Sequence, residues 1–220
     1  MSIAYRHRRQ ALDAMSSQPG DPATRRRILE TSLRLILERR GATVTLAEVA
    51  RAARVSRQAL YLHFADRAEL LLALVRYADE QRGLPAAVQR IERAASGVAA
   101  LKELAAMQAK MNPTIWPLAR LVDTARRHDK AAEGSWRDRL VSRRNGCRAI
   151  VARLADDGTL RRGLNAVVAA DLLWTLTSLQ IWEDLVLSRG WTAKQYQERL
   201  TDVLLHVLVR PRANASRRRK

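Results

Sequence analysis

The chain has 220 residues, of which 47% are hydrophobic and 5% aromatic, enough for one large or two small domains with apolar cores. It holds no run of about 20 apolar residues, no apolar segment of a signal peptide and a single cysteine, Cys147, so a membrane span, secretion and a disulfide framework are not expected. We therefore expect a cytoplasmic protein without a membrane partner.

The formal net charge of +18 is distributed along the whole chain. Residues 1–80 contain 14 basic and 9 acidic side chains, residues 81–210 contain 21 and 13, and residues 211–220 contain 5 and none. A large positive charge raises non-specific affinity for nucleic acid and speeds association. It does not by itself indicate that a particular base sequence is recognised.

Residues 1–22 are predicted to be a flexible basic arm. Three arginines, Arg6, Arg8 and Arg9, precede a run of turn-forming residues at 16–20. Such an arm can reach a neighbouring minor groove of DNA. A disordered tail and a misassigned start are the alternatives.

The next stretch predicts a helix followed by a helix-turn-helix. A helix is expected from about residue 24 to 40, ended by Gly41, with an inner face formed by Ile28, Leu29, Leu33 and Ile36. Two short helices follow between Thr45 and Phe64, since Thr45 and Glu48 have the spacing of a capping box and Ser56 can cap the second helix. Such a second helix can enter the DNA major groove.

A connecting helix is expected from about residue 66 to 81, and Gly83 and Pro85 mark a domain boundary. Further helices are expected at about 86–110, in a short segment after Pro113 with Pro117 in its first turn, from 134 or 135 to 156, at 166–188, and from Thr192 onward. The predicted organisation is an arm (1–22), a helix-turn-helix domain (23–82), a second helical domain (83–210) and a basic tail (211–220). The fold class is all-α.

The helix expected at 166–188 is apolar over much of its circumference, so it must be covered from two sides. The core of its own chain supplies one cover, and the same helices of a twofold-related copy supply the other. This pattern predicts a homodimer. A central position within a monomer is the alternative.

An ordered set of residues between 27 and 71 resembles the DNA-binding domain of the TetR family of transcriptional regulators. The set consists of Ile28-Leu29, Gly41, Thr45, Val49-Ala50, Val55-Ser56, Leu60-Tyr61, His63-Phe64 and Leu70-Leu71. Residues 157–164 and 169–173 also resemble the family where its ligand-binding core meets the first dimerisation helix. The resemblance implies an N-terminal three-helix helix-turn-helix domain, a C-terminal helical ligand-binding and dimerisation domain, a double-stranded DNA operator and an unknown small-molecule effector, with no cofactor.

Two positions depart from the family pattern. Arg54 stands where the turn usually has glycine, and at positive φ a non-glycine residue costs on the order of 1 kcal/mol. The turn is therefore differently shaped, or packing offsets the cost, with Arg54 also placed to reach phosphate. Gln58 stands where the family tends to have a small residue.

The predicted DNA-binding residues lie at helix starts and on the outer face of the second short helix. Arg57 and Gln58 can pair with guanine and adenine, and Ala59 can lie against a thymine methyl group. Resemblance to the family implies phosphate contacts for Thr45, Tyr61, His63 and Arg67, and Ser56 begins the helix. Arg25 and Arg26, beside Arg27, are also candidates for phosphate contact, unless they only form a solvated face. Packing of Tyr61 and a surface position for His63 remain the alternatives.

The resemblance implies an effector pocket among the C-terminal helices. Candidate lining residues are large apolar or polar side chains expected to face inward: Met107, Met111, Trp116, Trp136, Trp174, Thr177, Gln180 and Trp182. Arg120 and Asp123 are candidate polar anchors, unless they are exposed. Ordinary core packing is the alternative for each of the others.

Motifs of enzymes and metal sites are missing from the sequence. The four histidines are far apart, and there is no glycine-rich phosphate loop or Gly-x-Ser-x-Gly motif. We therefore expect no enzymatic activity and no bound metal. The favoured function is a repressor released from its operator by a small molecule. A non-specific architectural DNA-binding protein without a ligand and a helical small-molecule-binding or enzymatic protein are the alternatives.

Overall fold

The structure is a computed structural model that describes residues 21–40 and 44–211. Their regular structure is helical apart from one isolated antiparallel bridge between Leu160 and Val209, which confirms the all-α fold class. The helices are α1 (Pro22–Glu38), α2 (Leu46–Ala52), α3 (Arg57–His63), α4 (Arg67–Gln81), α5 (Leu84–Arg93), α6 (Gly97–Ala125), α7 (Lys130–Asp156), α8 (Ala166–Leu176), α9 (Leu179–Trp182) and α10 (Ala193–Leu208), with a π-helical segment (Glu183–Ser188) after α9. The predictions for residues 1–20, Gly41 and residues 212–220 lie outside the described residues.

Helices α1 to α4 share one apolar core, which sets the position of the helix-turn-helix. Ile28, Leu60, Phe64 and Leu74 are almost fully buried in it. Leu118 of α6 also packs into this core. The helix-turn-helix head, formed by α1 to α4, therefore rests directly on α6, the longest helix of the C-terminal part.

The helix starts of the head are fixed by side-chain caps. The capping box of Thr45 and Glu48 is confirmed, and the Ser56 hydroxyl accepts a hydrogen bond from the Ala59 amide at 3.0 Å. Asp66 caps α4 in the same way. Helix α1 begins at Pro22, capped by Asp21, slightly earlier than predicted.

The prediction of a single helix at 86–110 is wrong, because a non-helical segment separates α5 from α6. Ser96 caps α6, whose first residue is Gly97. A Cβ atom at Gly97 would lie 2.7 Å from the backbone nitrogen of Leu154 on α7. The break therefore lies where two helix backbones approach each other closely.

The separate short helix predicted after Pro113 is also wrong. Helix α6 continues through Pro113 and Pro117 to Ala125. Each proline removes one backbone hydrogen bond and crowds the preceding turn. The residues that follow are nevertheless buried, including Thr114, Leu118 and Leu121, so tertiary packing outweighs the local preference to end the helix.

The continuous helix predicted at 166–188 is divided into three pieces. Helix α8 ends at Leu176, and Ser178 caps α9 through the Ile181 amide. The Thr177 hydroxyl donates to the Leu173 carbonyl at 2.7 Å. Hydroxyl groups that bond locally in this way compete with regular helix. Helix α7 also differs from its prediction, since Asp129 caps it and it begins at Lys130.

Candidate nucleic-acid interface and effector site

The outer face of α3 is exposed and mostly polar. Arg57, Gln58 and Tyr61 are exposed, whereas Leu60 and Phe64 are buried as predicted. The backbone of this face is held by the Ser56 cap and by the apolar core beneath it. The face can therefore present side chains to base edges without rearranging the domain.

Leu62 was not predicted as a site residue but is 74% exposed on α3. It lies one helical turn after Gln58 and so shares its face. An apolar side chain there can contact a thymine methyl group or a sugar. The signal that could have found it is its position between Tyr61 and His63, outside the apolar stripe.

The residues predicted to contact phosphate lie around this face and differ in their exposure and in the contacts that they already make. Thr45 and Arg67 are exposed at the starts of α2 and α4, and Tyr61 is exposed on α3. The Thr45 hydroxyl already donates to Glu48 at 2.8 Å. His63 is partly buried, with its ring tilted against that of Phe64. Their contacts with DNA stay predictions.

The three arginines at the start of α1 each have a partner within the head. The Arg25 guanidinium lies 4.9 Å from the centre of the Phe64 ring. Arg26 pairs with Glu30 at 2.9 Å, and Arg27 donates to the Ala53 carbonyl at 3.1 Å. These contacts order the arginines at the surface, and phosphate contact by Arg25 and Arg26 stays a prediction.

The turn between α2 and α3 contains a residue in the left-handed conformation, for which glycine is the usual residue. Arg54 has φ +53°, and its side chain is exposed. The turn is closed by a hydrogen bond from the Val55 amide to the Ala50 carbonyl at 2.9 Å. The turn therefore keeps its shape at the expense of a strained residue. Arg40, with φ +51°, is a second such residue that sequence analysis missed.

Glu48 stabilises the start of α2 as an anion. The Thr45 backbone amide, the Thr45 hydroxyl and Arg39 together lower the pKa of Glu48 from 4.5 to about 2. The Arg39 guanidinium lies 2.8 Å from the carboxylate. The cap therefore stays ionised throughout the physiological range.

The predicted effector residues are only partly brought together. Met107, Trp116 and Trp174 lie against the core of the C-terminal helices, in which Trp182 is buried. The Trp116 indole donates to Glu183 at 2.9 Å and its ring lies 6.3 Å from that of Trp182. Met111 and Thr177 are also buried.

The other predicted effector residues lie elsewhere or at the surface. Arg120 is exposed above the Trp116 ring, at 5.6 Å from its centre. Trp136 packs under Arg126 and is not part of the C-terminal core. Gln180 is exposed and bonds to Asp184, and Asp123 pairs with Arg126 at 2.7 Å. A role in a pocket stays a prediction for all of them.

A group of polar side chains that was not predicted from the sequence lies inside the C-terminal core. Gln108 and Asn112 are buried on α6, and Tyr196 is fully buried on α10. Burial raises the pKa of Tyr196 to about 12 and also raises that of Cys147. Burial lowers the pKa of Arg143. The spacing of Gln108 and Asn112, one helical turn apart between apolar residues, is the signal that could have found them.

The described part of the chain contains no group of three or more His, Cys, Asp or Glu side chains able to hold a metal ion. Among its helices, none is long and apolar enough to cross a membrane.

Comparison with known proteins agrees with the arrangement of the head. Residues 28–74 match the sequence family described as bacterial regulatory proteins, tetR family. A search of curated proteins finds no match.

Solved structures resemble the chain over most of its length. A protein described as a transcriptional regulator from Saccharomonospora viridis, in complex with choline, has a TM-score of 0.73 at 21% identity, covering 86% of this chain and 99% of that one. The ketosteroid transcriptional regulator KstR2 of Mycobacterium tuberculosis has a TM-score of 0.65 at 17% identity, covering 89% and 99%. AibR, in complex with isovaleryl coenzyme A and operator DNA, has a TM-score of 0.64 at 20% identity, covering 82% and 97%. At these identities the likeness shows a shared fold.

Proposed function

We propose that the chain is a regulator of the TetR family, to whose model its residues 28–74 match, and that it acts as a homodimeric, sequence-specific repressor that a small-molecule effector releases from its operator. The observation that carries the proposal is the exposed face of α3, where Arg57 and Gln58 stand on a helix fixed by its cap and core. Arginine pairs bidentately with guanine and glutamine with adenine, so this face has the chemistry to read bases. Such a repressor acts in the cytoplasm, where bacterial DNA lies.

Exposed apolar side chains on the C-terminal helices support the homodimer. Val167 on α8 is 69% exposed, and Val168, Leu187 and Val203, which also lie in the last third of the chain, are exposed as well. Apolar surface of this kind is favourably covered by a partner. A twofold-related copy would place two α3 helices on successive major grooves, so the operator would be a near-palindrome.

Effector control is supported by the direct contact between the head and the C-terminal helices. Leu118 and Leu121 of α6 are buried in the core of the head, so a shift of α6 would move the head. An effector that binds one arrangement more tightly than another shifts the population between them. AibR and the Saccharomonospora viridis protein, which share the fold, were solved with small molecules bound.

The experiment that tests this function is the selection of bound duplexes from a random DNA pool at physiological salt. The proposal predicts recovery of a near-palindromic sequence. Recovery of no common sequence, with affinity governed by salt alone, would contradict it. That outcome would favour the architectural DNA-binding protein suggested by the dispersed positive charge.

A further inference from the structure

The hydroxyl of Tyr196 is buried without a hydrogen bond of normal geometry. The residue is fully buried on α10, and the side chain of Asn112 is the polar group close enough to its hydroxyl to lower its pKa. Proteins rarely leave such a group unsatisfied, and water or a bound ligand usually supplies the missing partner. The hydroxyl is therefore available to a ligand that enters the core.

Arg143 brings a positive charge to the same core without a balancing carboxylate. Its guanidinium donates to the Trp174 carbonyl and to the Thr177 hydroxyl, the latter at 3.0 Å, and lies 4.0 Å from the centre of the Trp174 ring. These contacts cap the end of α8 with a cation. Within the described chain, no carboxylate pairs with Arg143, so the cap uses some of its five N–H donors and leaves its charge unbalanced.

Three helices bring these groups into one region. The charge of Arg143 acts on the pKa of Tyr196 and on that of Cys147, against the larger effect of burial. The nearby side chain of Asn112 also lowers the pKa of Tyr196, and the Asn112 amide nitrogen donates a hydrogen bond to Gln108 at 2.8 Å. Helices α6, α7 and α10 therefore each contribute a polar side chain to the interior of an otherwise apolar core.

We propose that the effector is an organic carboxylate whose charged end binds at Arg143, Tyr196 and Asn112. Its oxygens accept hydrogen bonds from the Arg143 guanidinium and the Tyr196 hydroxyl, which balances the charge and satisfies the buried donor. Its apolar part lies against Met107 and Trp116, which border the same core. The role of this carboxylate as the effector rests on the proposed function, whereas its binding to the site does not depend on that function.

The same residues disfavour a cationic ligand. Arg143 would repel it, and the aromatic faces that attract cations already carry guanidinium groups. Arg143 lies over Trp174, and Arg120 lies over Trp116. The charge of Arg143 and the occupied aromatic faces therefore both favour an anionic ligand.

The test measures binding to the full-length protein of unbranched carboxylates from acetate to decanoate, with the corresponding uncharged amides as controls. Tryptophan fluorescence and the thermal midpoint report binding to wild type, Tyr196→Phe and Arg143→Met. Tyr77→Phe and Arg144→Met are the matched controls, since Tyr77 lies in the head and Arg144 is the exposed neighbour on α7.

At least one carboxylate is expected to bind wild type and both controls, while its amide binds at least about tenfold more weakly. Tyr196→Phe is expected to weaken binding by about tenfold, and Arg143→Met to abolish it. Absence of binding by every carboxylate, equal binding of the amide, or unchanged binding by Tyr196→Phe would overturn the proposal. If Arg143→Met does not fold because α8 loses its cap, Tyr196→Phe decides alone.

Operator binding without any carboxylate is measured separately on the selected duplex. If the protein does not bind this duplex in the absence of a carboxylate, the proposed function is contradicted, whereas the proposed carboxylate site is not. A carboxylate that binds without releasing DNA would show that the site is present but is not the effector site, which overturns the inference.

Discussion

Two nitrogens of the Arg139 guanidinium donate to the two carboxylate oxygens of Asp79, both at 2.8 Å, although the residues are 60 positions apart. Asp79 lies on α4, the connecting helix of the head, and Arg139 lies on α7. Arg139 is one helical turn before Arg143, so the contact with the head and the proposed carboxylate site share one helix. A displacement of α7 at Arg143 would therefore reach the head through this pair.

Replacing Asp79 by Asn removes the charge of this pair while keeping its size. Because bidentate pairs are stronger than ordinary surface pairs but this one is partly exposed, we expect the free energy of unfolding to fall by about 1 kcal/mol. Urea denaturation measures it. Glu92→Gln, which neutralises an exposed carboxylate of α5, is the control and should leave the free energy of unfolding unchanged. Equal effects of the two substitutions would contradict a specific contribution of the Asp79–Arg139 pair.

Gly97→Ala tests the close approach of α6 and α7. The added Cβ would lie 2.7 Å from the Leu154 backbone nitrogen, so the helices must move apart. We expect a loss of about 1–3 kcal/mol in the free energy of unfolding. Gly146→Ala, in α7 where an added Cβ meets nothing within 4 Å, should instead stabilise the protein by about 0.4–1 kcal/mol. Stabilisation by Gly97→Ala would show that the approach is looser than described.

Arg54→Gly tests the strained turn of the helix-turn-helix. Since Arg54 has φ +53°, glycine should raise the free energy of unfolding by about 1 kcal/mol. The same change at the neighbouring exposed Arg51, inside α2, should lower it by about 1 kcal/mol. Thermal denaturation of both variants measures the difference, and destabilisation by Arg54→Gly would mean that the arginine side chain stabilises the turn by more than its strain.

The Glu48 cap predicts a specific loss of stability in acid. The pKa of Glu48 is lowered from 4.5 to about 2 in the folded protein, so its contribution is fully present above pH 4.5 and is lost as the pH falls toward 2. The difference in free energy of unfolding between wild type and Glu48→Gln should therefore shrink over this range. Urea denaturation at several pH values measures it, and a difference independent of pH would contradict the assignment.

Local chemistry made the caps of the head predictable. Thr45 with Glu48, and Ser56 with the amide three residues on, need only neighbouring residues, and both are confirmed. Helix α6 continues through Pro113 and Pro117 because later residues are buried against other helices. A prediction based only on neighbouring residues cannot include these tertiary contacts.

The interior of the C-terminal part was the least predictable. Arginine and tyrosine are usually accessible at their polar ends, so nothing in the sequence indicated that Tyr196 is fully buried or that the charge of Arg143 acts on it. The division near Thr177 did have a local signal, since two adjacent hydroxyl residues can end one helix and cap the next.

The most direct test of base reading by α3 is the ratio of affinities for the selected duplex and a scrambled duplex, measured at physiological salt. Wild type is compared with Arg57→Ala/Gln58→Ala and with Gln89→Ala/Arg93→Ala, which makes the same change in charge and composition on exposed positions of α5. We expect the first double variant to reduce the ratio by at least about tenfold, since each bidentate contact contributes about 1–3 kcal/mol of discrimination. The second should preserve it. An unchanged ratio in Arg57→Ala/Gln58→Ala would contradict sequence recognition by this helix face.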